Sequence, residues 1–226
     1  ILDAGQRMFD LPEVRLDTQP VVQALEGLQA GSAPGFEYAA PLGTRTDHFH
    51  APRTLAQLAA LRVAKPRAQL LAGSTDVGLW VNKQFRDLGD IIYVGDVAEL
   101  KSIEVRGDEA TGALHIGAGA SLEAAFAALV QRVPSLQDVW LRFASPPIRH
   151  AGTMGGNVAN GSPIGDSPPV LMALDAEIEL RRGSRVRRMP LPEFYVDYMK
   201  NQLQPGEFVQ GLVLPLAALK RQGRGY

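Results

Sequence analysis

The sequence predicts an α+β fold with two subdomains, and three observations lead to this class. The 226 residues, of which 46% are hydrophobic and 21% charged, suffice for one or two domains with a substantial core. From Phe49 onward, strand and helix patterns alternate without a regular strand–helix–strand rhythm. The pattern changes near Leu100, so we predict a tail and linker over residues 1–46 and subdomains over residues 47–100 and 101–226.

The composition excludes several classes of protein. With 23 basic and 24 acidic residues the net charge is −1, which favours neither nucleic acid nor anionic lipid as a partner. The absence of cysteine excludes disulfides, thiolate zinc sites and iron–sulfur clusters on these residues, and a cytoplasmic location is expected. The first residues contain no long apolar run that is typical of a signal peptide or membrane span. His48 and His50 share a strand face without a third ligand nearby, so we predict no metal site.

The first 46 residues contain two short helical patterns. These are ILDAGQRMF and PVVQALEGLQAG, where Pro20 can begin a helix and Gly31 can end it. The following segment, SAPGFEYAAPLGTRTD, is rich in proline, glycine and small residues and is typical of a linker.

The remaining elements follow in order along the chain. Up to Leu100 the patterns predict a helix at TLAQLAALRVA, a strand at AQLLAG, a glycine loop, a strand or helix at LWVNKQF, and a strand at DIIYVGD. Beyond Leu100 they predict strands at KSIEVRG and ALHIGAG, a helix at SLEAAFAALVQR, an irregular stretch over residues 145–169, a helix at PPVLMALD and a strand pair at AEIELRRGSRVRRMP. This alternation favours an α+β fold over a doubly wound sheet.

The first candidate site is the segment LLAGSTDVGLW, residues 70–80, in which an apolar strand runs into a glycine-containing turn. The spacing of Gly73 and Gly78 imitates a phosphate-binding loop of ATPases. Leu79 and Trp80 stand where that motif requires lysine and serine or threonine, so ATP hydrolysis is excluded. The small side chains still permit successive backbone N–H groups to converge on a diphosphate. A tight strand-to-turn connection explains the same residues equally well.

The second candidate site is AGTMGGNVANGSPIG, residues 151–165, which contains five glycines, two asparagines and no ionisable side chain. A long stretch without charges must satisfy its backbone groups internally or against a ligand. Thr153, Asn157, Ser162 and the glycine amides are the candidates for contact with polar ligand atoms.

Asp166 ends this uncharged stretch and has two interpretations. Its carboxylate is a candidate partner for a ribose hydroxyl or an amino group. Alternatively, Asp166 or Ser167 caps a helix that begins at Pro168, and the two roles are compatible.

A third segment, IGAGASLEAAF at residues 116–126, imitates part of a dinucleotide fingerprint. Leu122 stands where the third glycine of that fingerprint belongs, so the match is imperfect. Ser121 as the N-cap of a helix explains the segment without a ligand. Gly117 and Gly119 nevertheless permit a close approach of the backbone to a ligand.

The two glycine loops together resemble the FAD-binding domain of xanthine dehydrogenase, in the separate small-subunit form found among bacterial molybdenum hydroxylases. The resemblance rests on AQLLAGSTDVGLWV, RFASPPIRHAGTMGGNVANGSPIGDSPPVLMAL and YVDYMKNQLQPGEFV, in that order, and extends from about Phe49 to Leu216. It implies a two-part α+β fold of the vanillyl-alcohol-oxidase or PCMH type with FAD between the subdomains. The family's C-terminal covering subdomain is absent from this sequence.

The resemblance also assigns cofactor-binding residues. The first diphosphate loop would consist of Leu70, Leu71, Ala72, Gly73, Ser74, Thr75, Asp76 and Val77. The second loop would consist of Thr153, Met154, Gly155, Gly156 and Asn157. Phe143 and Ala144 would lie along the cofactor, Asp166 would reach the adenosine half, and Leu203 would pack near the flavin ring. Ser74 and Asp76 stand where some relatives have asparagine and glutamate.

The resemblance further implies partners and an electron path. The family's small subunit begins with two [2Fe-2S] domains, and ILDAGQRM resembles the last helix of the second, so we expect a longer polypeptide. A molybdenum cofactor on a large partner subunit would oxidise hypoxanthine or xanthine, and electrons would pass through the clusters to FAD and leave as hydride to NAD. No catalytic side chain is expected on this chain, and the whole would be a hetero-oligomer.

Three alternatives remain open from the sequence. The chain could serve another molybdenum hydroxylase that acts on carbon monoxide, an aldehyde or an N-heterocycle, because the flavin loops do not contact the organic substrate. It could be a flavin-free interaction module whose glycine loops bind another subunit. It could also bind a nucleotide without redox chemistry.

Overall fold

The computed structural model describes residues 1–12, 15–30 and 35–223. The chain divides into two units, residues 1–34 and residues 35–226. The first unit contains helices α1 (Leu2–Asp10) and α2 (Gln19–Ala30), and all of its described side chains are exposed. Gly31, which was expected to end the second helix, lies outside the described residues.

The second unit contains two main sheets and a small ribbon. Its strands are β1 (Gly35–Leu42), β2 (Arg45–Pro52), β3 (Gln69–Leu71), β4 (Ile91–Tyr93), β5 (Ile103–Arg106), β6 (Ala113–Gly117), β7 (Glu177–Arg182), β8 (Arg185–Pro190), β9 (Tyr195–Asp197), β10 (Lys200–Asn201) and β11 (Phe208–Pro215). Strands β9 and β10 form the ribbon.

Helices surround both sheets. They are α3 (Leu55–Ala64), α4 (Val77–Asn82), α5 (Leu122–Val130), α6 (Gln137–Arg142), α7 (Pro146–Ala151), α8 (Met154–Asn160), α9 (Ser167–Ala173), α10 (Leu191–Phe194) and α11 (Leu216–Gly223), with 3-10 turns at residues 98–101 and 134–136. Within the described residues, every helix is too short or too polar to cross a lipid bilayer.

The first sheet has the strand order β1-β2-β4-β3. Strands β1 and β2 form an antiparallel hairpin, in which Gly35 pairs with Pro52 and Leu42 with Arg45. Strand β4 runs parallel to both β2 and β3. The linker prediction is therefore wrong for residues 35–42, because their backbone pairs along the whole length of β2 despite their proline and glycine content.

The second sheet has the strand order β5-β6-β11-β7-β8, and every neighbouring pair is antiparallel. Strand β11 comes last in the sequence but lies at the centre of the sheet. One mixed sheet and one antiparallel sheet, together with helices, confirm the predicted α+β class.

Two helices show how local sequence determines these elements. Thr54 caps α3 through a reciprocal capping box with Gln57. The hydroxyl of Ser121 accepts a hydrogen bond from the N–H of Ala124 at 3.1 Å, as expected for the N-cap of α5. The buried residues of α5 are Leu122, Ala125, Phe126 and Leu129, and this i, i+3, i+4, i+7 pattern places them on one apolar face.

Two predictions about local structure need comment. The segment LWVNKQF, for which strand and helix were both open, contains the end of helix α4. The stretch 145–169, predicted as irregular, is helical over α7 and α8. Glycine lowers helix propensity in α8, but burial of Met154 and Val158 in the core stabilises this short helix.

Two hydrophobic cores correspond to the two sheets. The larger core packs helices such as α5 and α9 on the second sheet, with Phe126, Leu171 and Ile178 among its fully buried residues. The smaller core lies between α3 and the first sheet, and includes Leu100 and the first residue of β11, Phe208. The second sheet therefore contributes to the core of the first, and the domain boundary near residue 100 stays a prediction.

Candidate cofactor-binding site

A cavity of about 530 Å³ lies in the second unit, beyond the end of β3. Its walls come from three stretches, within residues 62–80, 118–160 and 199–209, together with Val94 and Leu100. Both predicted glycine loops contribute to these walls. The cavity has a volume in the range of sites for cofactors and drug-sized ligands.

The first loop presents backbone donors to this cavity. Strand β3 ends at Leu71, and residues 73–76 connect it to α4. In the described part of the chain, the N–H groups of Gly73, Ser74, Thr75 and Asp76 donate no hydrogen bond to another protein group. Ser74 adopts a φ of 61°, a left-handed conformation that turns the chain sharply within this run. Successive unpaired N–H groups in such a turn form a concave site for an anion.

Glycine is required where the walls of the cavity meet. A Cβ atom on Gly73 would lie 1.7 Å from the carbonyl oxygen of Ala151 and 3.0 Å from the Cα of Gly152. A Cβ atom on Gly155 would lie 2.4 Å from the Cβ of Ala118. The first loop and α8 can approach their neighbours this closely only because these residues lack side chains.

The second loop uses its amides within the protein. The N–H of Met154 donates to the carbonyl of Ala120 at 2.9 Å, and the N–H of Gly155 donates to the carbonyl of Ala118 at 2.8 Å. The N–H groups of Gly156 and Asn157 donate to the hydroxyl and the carbonyl of Thr153. The expectation that the glycine amides of this segment serve a ligand is therefore wrong for Gly155 and Gly156. The N–H of Gly155 joins α8 to the residue that follows β6, and the N–H of Gly156 is used by the N-cap of α8.

Side chains of α8 remain available at the cavity wall. The Oδ1 atom of Asn157 is buried without a hydrogen-bond partner in the described structure. Buried polar atoms are almost always paired, so an unpaired one at a cavity wall indicates a missing ligand or water. The Nδ2 atom of Asn160 donates to the carboxylate of Asp76 at 3.2 Å and thereby links α8 to the first loop.

Another part of the wall contains charged residues. The guanidinium of Arg62 donates to the carbonyl oxygens of Glu207 at 3.2 Å and Ala68 at 2.8 Å, and its burial lowers its pKa. The carboxylate of Glu207 is buried and pairs with Arg187, which lowers the pKa of Glu207. Trp80 also lines the cavity, and the guanidinium of Arg86 lies 4.9 Å from the centre of its ring.

Most of the sequence-predicted residues line this cavity. They are Leu70, Ala72, Gly73, Ser74, Thr75, Asp76, Val77, Thr153, Gly155, Gly156, Asn157 and Leu203. Their contact with a cofactor stays a prediction. The remaining ones, Leu71, Phe143, Ala144, Met154 and Asp166, are not part of the cavity wall.

Four of these five residues have surroundings that the structure describes. Phe143 and Met154 belong to the large hydrophobic core, and the Phe143 ring lies 5.3 Å from that of Phe126. Ala144 has a φ of 48° and its carbonyl accepts a hydrogen bond from Arg149 at 3.1 Å. Asp166 stands at the N-cap position of α9, but its side chain makes no capping hydrogen bond.

Sequence reasoning missed several residues of the wall. Arg62, Trp80 and Glu207 line the cavity. Trp80 ends the segment LLAGSTDVGLW and Glu207 lies in YVDYMKNQLQPGEFV, but the sequence assigns neither a binding role, and Arg62 lies outside these segments. Gly119 lines it as well, and the imperfect fingerprint at residues 116–126 was the available signal. Asn160 also lines the cavity, and it lies within the uncharged stretch of residues 151–165, but it is not among the residues for which the sequence predicts ligand contact.

The fold and the cavity define a class of protein. Unpaired amides at a strand-to-helix turn, close glycine contacts and an unpaired asparagine oxygen are features of an α+β domain that binds a phosphate-containing cofactor. The residues present thus fit a dinucleotide such as FAD. The sequence profile of the family described as FAD binding domain in molybdopterin dehydrogenase matches residues 43–217. The chain belongs to this family.

Individual relatives agree with this assignment. The chain is 33% identical over 181 residues to a xanthine dehydrogenase of Drosophila subobscura, covering 73% of this chain and 13% of that protein. It is 30% identical over 169 residues to the xanthine dehydrogenase FAD-binding subunit of Escherichia coli O157:H7, covering 74% of this chain and 57% of that protein. The chain therefore spans only part of the length of the curated relatives that it matches.

Solved structures support the fold. Reconstituted CO dehydrogenase from Oligotropha carboxidovorans matches with a TM-score of 0.67 and 26% identity, over 74% of this chain and 58% of that one. Quinoline 2-oxidoreductase from Pseudomonas putida 86 has the same fold, with a TM-score of 0.67 and 20% identity over the same shares of the two chains. The predicted two-part FAD-binding α+β fold is confirmed.

Proposed function

We propose that the cavity holds FAD, with the diphosphate on the N–H groups of residues 73–76. The observation that carries this proposal is the run of unpaired donors at the turn after β3. Each donor that lacks a protein partner gains a charge-assisted hydrogen bond when a phosphate oxygen reaches it. Asn157 and Asn160 would orient the polar parts of the cofactor from the facing helix α8.

The chemistry of the cofactor divides the work between ligand and protein. When bound, FAD accepts electrons singly and delivers them as a hydride. The chain itself binds the cofactor, orients it and shields it from water. The apolar side chains of Leu70, Leu122, Leu203 and Phe208 line the cavity and would exclude water. No side chain of this chain is needed as an acid or base in this proposal.

We further infer that the chain is the FAD-carrying part of a xanthine dehydrogenase. Xanthine dehydrogenases of insect and bacterial origin are among its relatives. In this proposal, hypoxanthine or xanthine is oxidised on a large subunit that binds the molybdenum cofactor. The [2Fe-2S] clusters, on a segment that precedes this chain, pass the electrons to FAD. NAD then accepts them from FAD. A hetero-oligomer in the cytoplasm is part of the same proposal.

A second candidate is the FAD subunit of a related hydroxylase, for example one that oxidises carbon monoxide. It is favoured by the structural match to CO dehydrogenase, which covers the same share of this chain as the match to the bacterial xanthine dehydrogenase subunit. The described cavity does not distinguish the two candidates from each other, because in both proposals the organic substrate reacts on a partner subunit.

The first experiment tests for the cofactor. The full-length protein is purified, its absorption spectrum recorded, and the molecule released by heat identified by mass. We expect flavin bands and release of FAD. Release of FMN alone would contradict the adenosine-containing site, and a colourless folded protein that takes up no added FAD would favour the interaction module.

The second experiment tests the location of FAD. Trp80 lines the cavity, whereas Trp140 is not part of the cavity wall. The indole N–H of Trp140 donates a hydrogen bond to the carboxylate of Glu123 at 3.2 Å. The chain contains just these two tryptophans. We expect added FAD to quench the fluorescence of apoprotein carrying Trp140→Phe more strongly than that of apoprotein carrying Trp80→Phe. Equal or reversed quenching would place the flavin elsewhere.

The third experiment distinguishes the two hydroxylase candidates. Xanthine, hypoxanthine and carbon monoxide are added separately to the anaerobic, fully assembled enzyme, and bleaching of the visible absorption band of the flavin is followed. We expect the purines to bleach it and NAD to restore it. Bleaching by carbon monoxide alone would favour the second candidate, and recovery with oxygen but not NAD would correct the acceptor.

A further inference from the structure

The connection that precedes β11 forms one side of the cavity and is held by an unusual set of contacts. Leu203 and Glu207, at the two ends of this connection, both line the cavity. Between them the chain reverses at Gly206, whose φ is 82°. The N–H of Glu207 donates to the carbonyl of Gln204 at 2.9 Å, which closes the turn. We refer to residues 202–207 as the 202–207 turn.

One ion pair holds both ends of this turn. Arg187 on β8 donates from Nε to Oε1 of Glu207 and from Nη2 to Oε2, each at 2.8 Å. The same Nη2 donates to the carbonyl of Gln202 at 2.8 Å. Oε2 of Glu207 also accepts the N–H of Gln204 at 2.8 Å. A single guanidinium and a single carboxylate thus fix the backbone on both sides of Leu203.

Burial makes this arrangement stiff. The side chain of Glu207 is 6% exposed and that of Arg187 is 32% exposed. A bidentate pair shielded from water has a narrow geometry and responds strongly to removal of one partner. Arg62 adds a further link, because its Nε donates to the carbonyl of Glu207 and its Nη1 to that of Ala68. The turn is therefore also attached to the segment that enters β3.

We propose that Glu207 is a positioning residue for the cofactor, which acts by fixing the 202–207 turn through Arg187 so that Leu203 packs against the ligand. This inference rests on the proposed function, because it takes FAD as the occupant of the cavity. Glu207 transfers neither a proton nor an electron in this role. Its removal leaves the N–H of Gln204 and two donors of Arg187 without their acceptor, and the turn relaxes away from the cavity.

The neighbouring residue on β8 provides a matched control. Arg188 pairs with Glu179 at 2.7 Å, and the Glu179 side chain is 8% exposed, almost the same as that of Glu207. Successive residues of a strand face opposite sides of the sheet, so this pair lies on the other face. Glu179 lines a separate pocket of about 310 Å³ and not the candidate cofactor cavity. Both pairs join an arginine of β8 to a nearly buried glutamate, although Arg187 donates two hydrogen bonds to its partner and Arg188 donates one. The two pairs differ in the cavity that they line.

The experiment compares Glu207→Gln with Glu179→Gln in the full-length protein. Apoprotein is prepared and titrated with FAD, with flavin fluorescence anisotropy giving Kd, and the melting temperature and the flavin absorption spectrum are recorded. We expect both substitutions to lower the melting temperature of apoprotein, but only Glu207→Gln to raise the FAD Kd, by about tenfold if about one apoprotein molecule in ten keeps the turn in place. We also expect its flavin bands to resemble those of free FAD more closely.

The outcomes separate the possible failures. Unchanged affinity and spectrum in Glu207→Gln, or equal losses in both variants, would overturn the positioning role. Failure of the unsubstituted protein to bind FAD would instead overturn the proposed function. If Glu207→Gln does not fold, Arg187→Lys serves as the second variant, because lysine retains the charge but lacks the planar fork. Its FAD Kd should rise while that of Arg188→Lys stays within about twofold of the unsubstituted value.

Discussion

Replacement of Gly73 by alanine separates the first loop from its neighbour and provides a direct test of the cavity. The new Cβ atom would lie 1.7 Å from the carbonyl oxygen of Ala151 and 2.5 Å from its carbonyl carbon. Close carbon–oxygen contacts in proteins are about 3.3 Å, so the two backbones must separate by about 1.6 Å. Neither contact is with a flexible side chain that could turn away, so the backbone must move.

The consequence for binding follows from hydrogen-bond geometry. A movement of about 1.6 Å lengthens an N–H···O bond of about 2.9 Å beyond the range in which it contributes. Loss of two charge-assisted bonds to the diphosphate would cost about 3 kcal/mol or more, a fall in FAD affinity of at least about a hundredfold. The strain of overpacking should also lower the free energy of unfolding by about 1–3 kcal/mol.

Gly78 provides the control for this prediction. Its added Cβ would meet only the flexible hydroxyl of Ser74, at 3.3 Å, and alanine is favoured over glycine inside a helix by about 1 kcal/mol. FAD Kd and melting temperature are measured for Gly73→Ala and Gly78→Ala. We expect Gly78→Ala to retain binding and stability. If Gly73→Ala binds FAD within about twofold of the unsubstituted protein, the reasoning about close backbone approach is refuted.

Three further predictions concern stability. Ser74→Gly should raise the free energy of unfolding by about 1 kcal/mol, because Ser74 has a φ of 61°, and a thermal melt showing a fall would contradict this. Arg149→Met should lower the free energy of unfolding, measured in urea, by about 3 kcal/mol, because the carboxylate of Glu123 loses the guanidinium that lies 2.6 Å from it. The double variant Arg149→Met, Glu123→Leu should recover part of this loss. The hydrogen bond from Lys65 lowers the pKa of Asp90 to about 2. The ionised carboxylate of Asp90 therefore stabilises the fold at pH values above its unfolded pKa of about 3.9. This stabilisation disappears as the pH falls to about 2. Asp90→Asn should flatten this part of the pH dependence, and an unchanged profile would exclude the ion pair as its source.

The sequence predicts much of the fold because its local signals agree with the final packing. Ser121 and Thr54 begin the helices that their side chains indicate. The signals fail where long-range pairing outweighs composition. Residues 35–42 look like a linker, yet β2 supplies a partner for each of their backbone positions. The composition of this segment is compatible with a loop or with a strand, and pairing with β2 determines that it forms a strand.

The candidate site divides in the same way. The turn at residues 73–76 is local, so its role as a wall of the cavity is readable from the sequence. The glycines of α8 were interpreted as donors for a ligand, but Gly155 is needed because Ala118 lies against it. Glu207 could not have been found, because its partner Arg187 lies 20 residues away and only the β8–β11 arrangement brings them together.

The order of the second sheet has a consequence for how this protein is made. Strand β11 follows the other described strands in sequence and yet lies between β6 and β7. Until residue 215 has left the ribosome, β6 and β7 each expose an unpaired edge, a state in which nascent chains associate wrongly. The wall around Leu203 and Phe208 emerges after the other described parts of the cavity wall. The described cavity is therefore complete only once β11 has been made, and a translational pause before β11 would hold back a polypeptide that has already completed its first sheet.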